Sequence, residues 1–114
     1  MTETELRRKA KIKIIEDKGI PWFAPRTRYG LEKDIWGVYD ALILYPPITI
    51  VPIQITTIGN VRAREKKIKM FLKKANAQIY SEIWAYDKKK KRFRIFHLYS
   101  ISKAVEEKGI KEEL

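Results

Sequence analysis

Apolar residues along this chain recur with two periods, and the switches between them mark its elements. In residues 3–18, ETELRRKAKIKIIEDK, Leu6, Ala10 and Ile14 fall at fourfold spacing, which predicts a helix with one apolar face. Gly19 follows as the expected C′ residue that ends it. Residues 20–24, IPWFA, read as a short extended piece that Pro21 confines to an edge or a strand start. A polar loop, PRTRYGLEKD, comes next. Residues 35–45, IWGVYDALILY, are β-branched and aromatic and predict a strand that Pro46-Pro47 breaks. Residues 48–57, ITIVPIQITT, predict the next strand, and the tight separation predicts an antiparallel hairpin. Ile53 and Ile55 point one way there, and Pro52, Gln54 and Thr56 the other.

The period then returns to that of a helix, from about 61 to 76. Val61, Ile68, Leu72 and Ala75 face inward, and Arg62, Lys66, Lys69 and Lys73 form an outward basic stripe. Residues 79–86, IYSEIWAY, and 92–99, RFRIFHLY, predict strands joined by DKKKK, with Arg92 and Arg94 alternating against Phe93 and Ile95. Residues 102–113 predict a short terminal helix. The order α-β-β-β-α-β-β predicts a single α/β domain over residues 1–114. It has a mixed sheet, with one helix on each face or both on one.

Composition narrows what such a domain does. The chain has 114 residues, 25 Lys+Arg against 14 Asp+Glu, and a net charge of +11. At 45% hydrophobic it can bury a core, so it is not a disordered basic tail. The absence of cysteine excludes disulfides, thiolate zinc sites and a cysteine nucleophile. The single His97 excludes a histidine-rich metal site. No apolar run reaches the ~20 residues that span a bilayer, and MTETELRRKAKIK is too charged for a signal peptide. A small, soluble, intracellular (cytoplasmic) domain without a membrane partner is expected. The last twelve residues carry three Lys and four Glu, which leaves +12 on residues 1–102. A Lys/Glu-rich, cysteine-free surface also suits a thermophile, but ion-pair networks need matched acids, and bases lead here nearly two to one. The excess is the electrostatic footprint of a nucleic-acid-binding surface.

Candidate chemistry gathers between residues 34 and 67. Asp40 interrupts the apolar run GVYDALIL, where a buried carboxylate is costly unless paired or bound to a cation. Gln54 interrupts IVPIQITT in the adjoining strand, and a hairpin at Pro46-Pro47 lets the two project on one face. The following helix carries Arg62, Arg64, Lys66 and Lys67 within two turns. Phosphodiester hydrolysis needs oxygen ligands for a hard cation, a positioned water and positive charge near the leaving group. The loop residues Arg26, Arg28 and Tyr29 suit phosphate contact and base stacking, or serve only as a connector. Asp40 reads alternatively as a structural ion pair with Arg26 or Arg28, and Gln54 as an outward polar residue on a half-exposed strand.

In the segments PRTRYG, DIWGVYDALIL and VPIQITTIGNVRAREKKI the chain resembles the PD-(D/E)XK nuclease superfamily, which includes archaeal Holliday junction resolvases. The text is closer still to small resolvase-like proteins of phages and archaeal viruses. The resemblance covers roughly residues 5 to 86 and implies a restriction-endonuclease-like α-β-β-β-α-β core with an added C-terminal strand and short helix. It implies DNA cleavage with Mg²⁺ or Mn²⁺, a homodimer, and Asp40 as the metal-binding aspartate. Gln54 then occupies the Glu/Asp position and Thr56 the Lys position, both departures from the pattern. Lys67 or Arg64 of the following helix is the expected substitute cation. Asp34 is the best replacement carboxylate for metal, with Glu5 or Glu16 behind it. Arg26, Arg28, Tyr29, Arg62 and Lys66 would hold nucleic acid. The departures keep a second reading open, a nuclease fold that binds nucleic acid without cutting it.

Overall fold

The computed structural model describes residues 2–25, 34–99 and 105–106. The predicted loop residues Arg26, Arg28 and Tyr29 lie outside this set, as does most of the expected terminal helix. Helix α1 spans Glu3–Glu16 and is capped by Thr2, whose hydroxyl accepts from the Glu5 amide at 3.2 Å. Its stripe Leu6, Ala10 and Ile14 is buried, as the spacing requires.

Helix α1 does not end as the sequence suggests. Asp17 caps it, and Lys18, not Gly19, takes the left-handed conformation, with φ 65°. Lys18 N donates to Ile15 O at 3.0 Å and Gly19 N to Ile14 O at 2.8 Å, the paired bonds of a Schellman motif. Gly19 is needed for space instead. A Cβ there would sit 2.7 Å from Ile43 Cγ2 and 2.9 Å from Ile14 Cγ2.

The strands are β1 (Ile20–Phe23), β2 (Ala41–Tyr45), β3 (Thr49–Thr57), β4 (Tyr80–Asp87), β5 (Arg92–Tyr99) and β6 (Val105–Glu106), and they lie side by side in chain order. The β3–β4 pair is parallel and the others antiparallel, so the sheet is mixed. Parallel pairing requires a crossover. A 3₁₀ turn at Ile58–Asn60 and helix α2 (Val61–Ala75) supply it.

Each face of the sheet carries one helix. On one, Leu6, Ala10 and Ile14 of α1 pack on Ile43, Ile53, Trp84 and Ile95. On the other, Ile68 and Leu72 of α2 pack on Tyr39, Ile83 and Leu98. Every residue of β3 from Val51 to Thr56 is therefore buried, which rules out the alternative reading of Gln54 as an outward residue on a half-exposed strand. Helix α2 leaves part of its face open. The cross-strand row Ile20–Leu44–Ile50 ends in two isoleucines that are 54% and 60% exposed.

Three more expectations need correcting. The strand predicted over 35–45 begins only at Ala41, because Trp36 (φ 53°) and Gly37 (φ 75°) turn the chain back on itself. Ala75 is exposed, and buried Glu65 fills the inward position one turn before Ile68. Residues 105–106, placed in a terminal helix by the sequence, form β6 on the edge of β5. Arg94 anchors β6 through two bonds to Glu106, Nε to Oε2 at 2.9 Å and Nη2 to Oε1 at 2.7 Å. No helix of the described residues is long and apolar enough to cross a membrane.

Gly19→Ala should destabilise the fold by about 1–3 kcal/mol through overpacking. Lys18→Gly should stabilise it by up to about 1 kcal/mol by removing left-handed strain. Urea midpoints that move the other way, or not at all, contradict this division of roles. The Arg94 guanidinium holds the Glu106 carboxyl below its ordinary value of 4.5. Attachment of β6 is then complete above pH 4.5 and fades as pH falls through the lowered value. Amide hydrogen exchange at the one of Phe96 and His97 whose N–H faces β6 should accelerate in that acidic window ahead of the β2–β3 amides.

Candidate functional site

The site begins with a break in the sheet. Before Ala41 the backbone carbonyls are taken by the 35–39 turn: Tyr39 O accepts from Ile35 N at 2.7 Å, and Val38 O from Gln54 Nε2 at 2.6 Å. The side chain of Asp40 supplies the acceptor that the adjoining strand still needs, Oδ2 receiving Ile55 N–H at 2.7 Å. The backbone of Asp40 is engaged too, its N–H donating to Ile53 O and its carbonyl accepting from Ala24 N, both at 2.8 Å. Asp40 is 5% exposed and Gln54 2% exposed, so these bonds are shielded from water.

The second carboxylate oxygen faces an arginine. Arg7 Nη2 lies 3.7 Å from Asp40 Oδ1, and Arg7 Nη1 donates to Ala24 O at 2.7 Å. Asp40 thus has an ion-pair partner that its burial demands in Arg7 of α1, while Arg26 and Arg28, the partners considered from sequence, lie outside the described residues. Arg7 escaped the sequence reading because it flanks the Leu6–Ala10–Ile14 stripe as one of many bases. Its spacing of four from Glu3, whose Oε1 is 4.0 Å from Arg7 Nε, was the available signal.

Around Asp40 lies a polar recess of about 300 Å³. It brings together Asp34, Asp40, Gln54, Thr56 and Arg64, with Glu3 from the start of α1. Lys67 stands beside it, Nζ 3.8 Å from Asp34 Oδ2. Among the described residues, Asp34 Oδ1 is buried without a hydrogen-bond partner. The first-helix acid of the recess is Glu3, not Glu5 or Glu16. Glu5 is exposed, and Glu16 is exposed near the far end of α1. Arg64 and Lys67, one turn apart on α2, occupy the flank that follows Asn60 into the recess.

The donors in the recess are oxygens of the kind that hard cations take. Because Gln54 commits its amide nitrogen to Val38, its carbonyl oxygen is the atom left for a cation. Among the described residues, no three His, Cys, Asp or Glu side chains converge closely enough to hold an ion. A cation here would have two carboxylates at most, completed by the neutral oxygens of Gln54 or Thr56 and by water. Mg²⁺, which keeps several waters, tolerates such a sparse set.

Arg62, Lys66, Lys69 and Lys73 form the predicted basic stripe, along a shallow hollow on the other flank of α2. Lys69 is paired with Glu65 at 2.7 Å, so the stripe carries less charge than its cations suggest. Tyr39, between the turn and α2, is fully buried, and that burial pushes its phenol up. His97 lies elsewhere, its Nδ1 against Tyr80 Oη, which donates to Glu82 Oε2 at 2.5 Å. Trp84 Nε1 donates to Glu82 Oε1 at 2.9 Å, so this group satisfies a buried carboxylate.

No family model, curated protein or solved structure matches this chain.

Asp40→Ala should cost about 3 kcal/mol, since it leaves Ile55 N–H unsatisfied and removes the buried carboxylate that faces Arg7. Asp40→Asn, which keeps an acceptor, should cost about 1 kcal/mol. Equal urea midpoints for the two variants would show that the Ile55 bond carries no weight.

Proposed function

We propose that the chain is a metal-dependent endonuclease, similar to the Holliday junction resolvases, that hydrolyses DNA phosphodiesters at the recess around Asp40. One observation carries the reading. Asp34 and Asp40, on either side of the 35–39 turn, and Gln54 of β3 share a single recess with the cation Arg64. The order α-β-β-β-α-β with its one parallel pair is also what a restriction-endonuclease-like core requires.

A bound Mg²⁺ or Mn²⁺ would act as a Lewis acid and lower the pKa of a bound water. Asp40, Asp34 and the Gln54 carbonyl are the residues that would hold it. Thr56 offers a hydroxyl where the superfamily pattern has lysine, so positive charge near the leaving oxygen falls to Arg64 and Lys67. Arg62 and Lys66, on α2, would hold the flanking phosphates. Two symmetric cuts in a junction need two such sites, which is the reason to expect a homodimer.

A specific observation favours a second reading, a nucleic-acid-binding module without catalysis. Asp40 already serves Ile55 N–H and faces Arg7, and the residues at the acid and lysine positions are neutral. Plasmid, single-stranded and four-way-junction DNA incubated with Mg²⁺, Mn²⁺ or chelator separate the two. The nuclease reading expects metal-dependent cutting that Asp34→Asn, which leaves the Asp40 hydrogen bonds in place, reduces at least about tenfold. DNA binding with a steep salt dependence and no cutting in either metal would establish the second reading.

A further inference from the structure

Further along α1 than the recess, α1 and β5 enclose a groove of about 470 Å³. Lys9 and Lys13 form one wall, Lys91, Arg92 and Arg94 the other. Tyr86 and Phe93 lie between them in edge-to-face contact, ring centroids 5.2 Å apart. Lys9 Nζ stands 5.4 Å over the Tyr86 ring, and Lys13 Nζ 6.0 Å over that of Trp84, so both stems are laid along aromatic surface. Among the described residues the groove sets two carboxylates, Glu16 and Glu106, against these five cations, and Asp17 Oδ2 accepts from Lys13 Nζ at 3.2 Å.

Glu106 shows what the groove accepts. Its carboxylate lies on the Arg94 guanidinium in two parallel charge-assisted bonds of 2.9 and 2.7 Å. That fork geometry suits a phosphate as well as a carboxylate. Glu106 belongs to a strand of two residues, paired with β5 at Phe96 and His97. The seat is also near the candidate active site: Thr57, on the recess, pairs with Tyr86, in the groove, across β3 and β4. The first turns of α1 separate them.

We propose that this groove binds the phosphodiester backbone of a single nucleic-acid strand, and that Glu106 occupies its arginine seat in the free protein. A strand entering the groove exchanges the carboxylate for a phosphate, and Lys9 and Lys13 contact the next phosphates along the backbone. A single strand suits the groove because a volume of about 470 Å³ is of nucleotide rather than duplex size. The inference rests on the nucleic-acid reading above but does not require cleavage.

The test is fluorescence anisotropy of the full chain with fluorescein-labelled oligothymidylate, in chelator, over a range of salt. Glu106→Gln should tighten binding about two- to fivefold, as expected for releasing a part-exposed ion pair. Lys9→Gln with Lys13→Gln should weaken it and reduce the slope of log K against log salt by about 1.4, roughly 0.7 for each phosphate no longer neutralised. Circular dichroism confirms that these surface variants remain folded. Wild-type affinity in both variants overturns the proposal, as does an effect seen only with duplex DNA or only with phosphatidylserine vesicles. Binding that ignores the groove variants but falls in Arg62→Gln with Lys66→Gln overturns the groove while leaving the recess reading intact. Groove-dependent binding with no cutting in any metal supports the groove and removes the nuclease reading.

Discussion

The hydrogen bond from Ile55 N–H to Asp40 Oδ2 is the point on which the architecture around the recess turns. It lets β3 continue past the place where β2 stops pairing, without leaving a buried amide unmet. Three segments meet there: the 35–39 turn through Val38 and Gln54, the end of β1 through Ala24, and α1 through Arg7. A neutral acceptor would satisfy Ile55, but only a carboxylate also gives the part-buried Arg7 an opposite charge. The Asp40 side chain itself joins β3 to α1, and its backbone holds the end of β1.

That dual duty bears on chemistry. A carboxylate that stabilises the fold by accepting a backbone N–H is held rigidly, which favours a well-placed ligand. The same bond withdraws part of its electron density from any cation, and Arg7 competes for the rest. The two functional readings are therefore two outcomes of one competition, between a divalent ion and a guanidinium for Asp40 Oδ1. Gln54 weakens the ion's side because its ligand atom is neutral. Glu3, Asp34 and the unpartnered Asp34 Oδ1 strengthen it by keeping negative charge in the recess.

Much of the fold could be read from spacing alone, since Leu6–Ala10–Ile14 and Ile68–Leu72 mark the two helix faces and Pro46-Pro47 the hairpin. The grouping of Asp34, Asp40, Gln54 and Arg64 was legible for the same reason: polar residues in apolar runs have few places to go. What escaped depends on three-dimensional neighbours. Gly19 looks like a helix stop by type, yet its role is to let Ile14 and Ile43 approach, a meeting of elements that no local pattern encodes. Trp36 reads as a strand residue by propensity, and the turn it joins is set by Gly37 and by aromatic stacking on Phe71, with ring centroids 6.0 Å apart. Glu3 and Arg7 were indistinguishable from the charged majority of α1 until the helix was placed. The strand β6 depends on one ion pair with a residue 12 positions earlier.

The chain-order arrangement of the strands has a kinetic consequence. Each strand pairing among the described residues joins strands consecutive in the chain, and β2–β3 and β4–β5 are closed by short turns. Loop closure weighs more on the β3–β4 pairing, which α2 must bridge. Two antiparallel units, one built on β2–β3 and one on β4–β5, can thus form locally before the crossover brings them together. The recess draws its strand residues from the first unit, while the groove takes its second wall from the other and its first from α1. The recess can therefore take shape within the first unit and its helices, whereas the groove comes into being only in the late docking that closes the sheet.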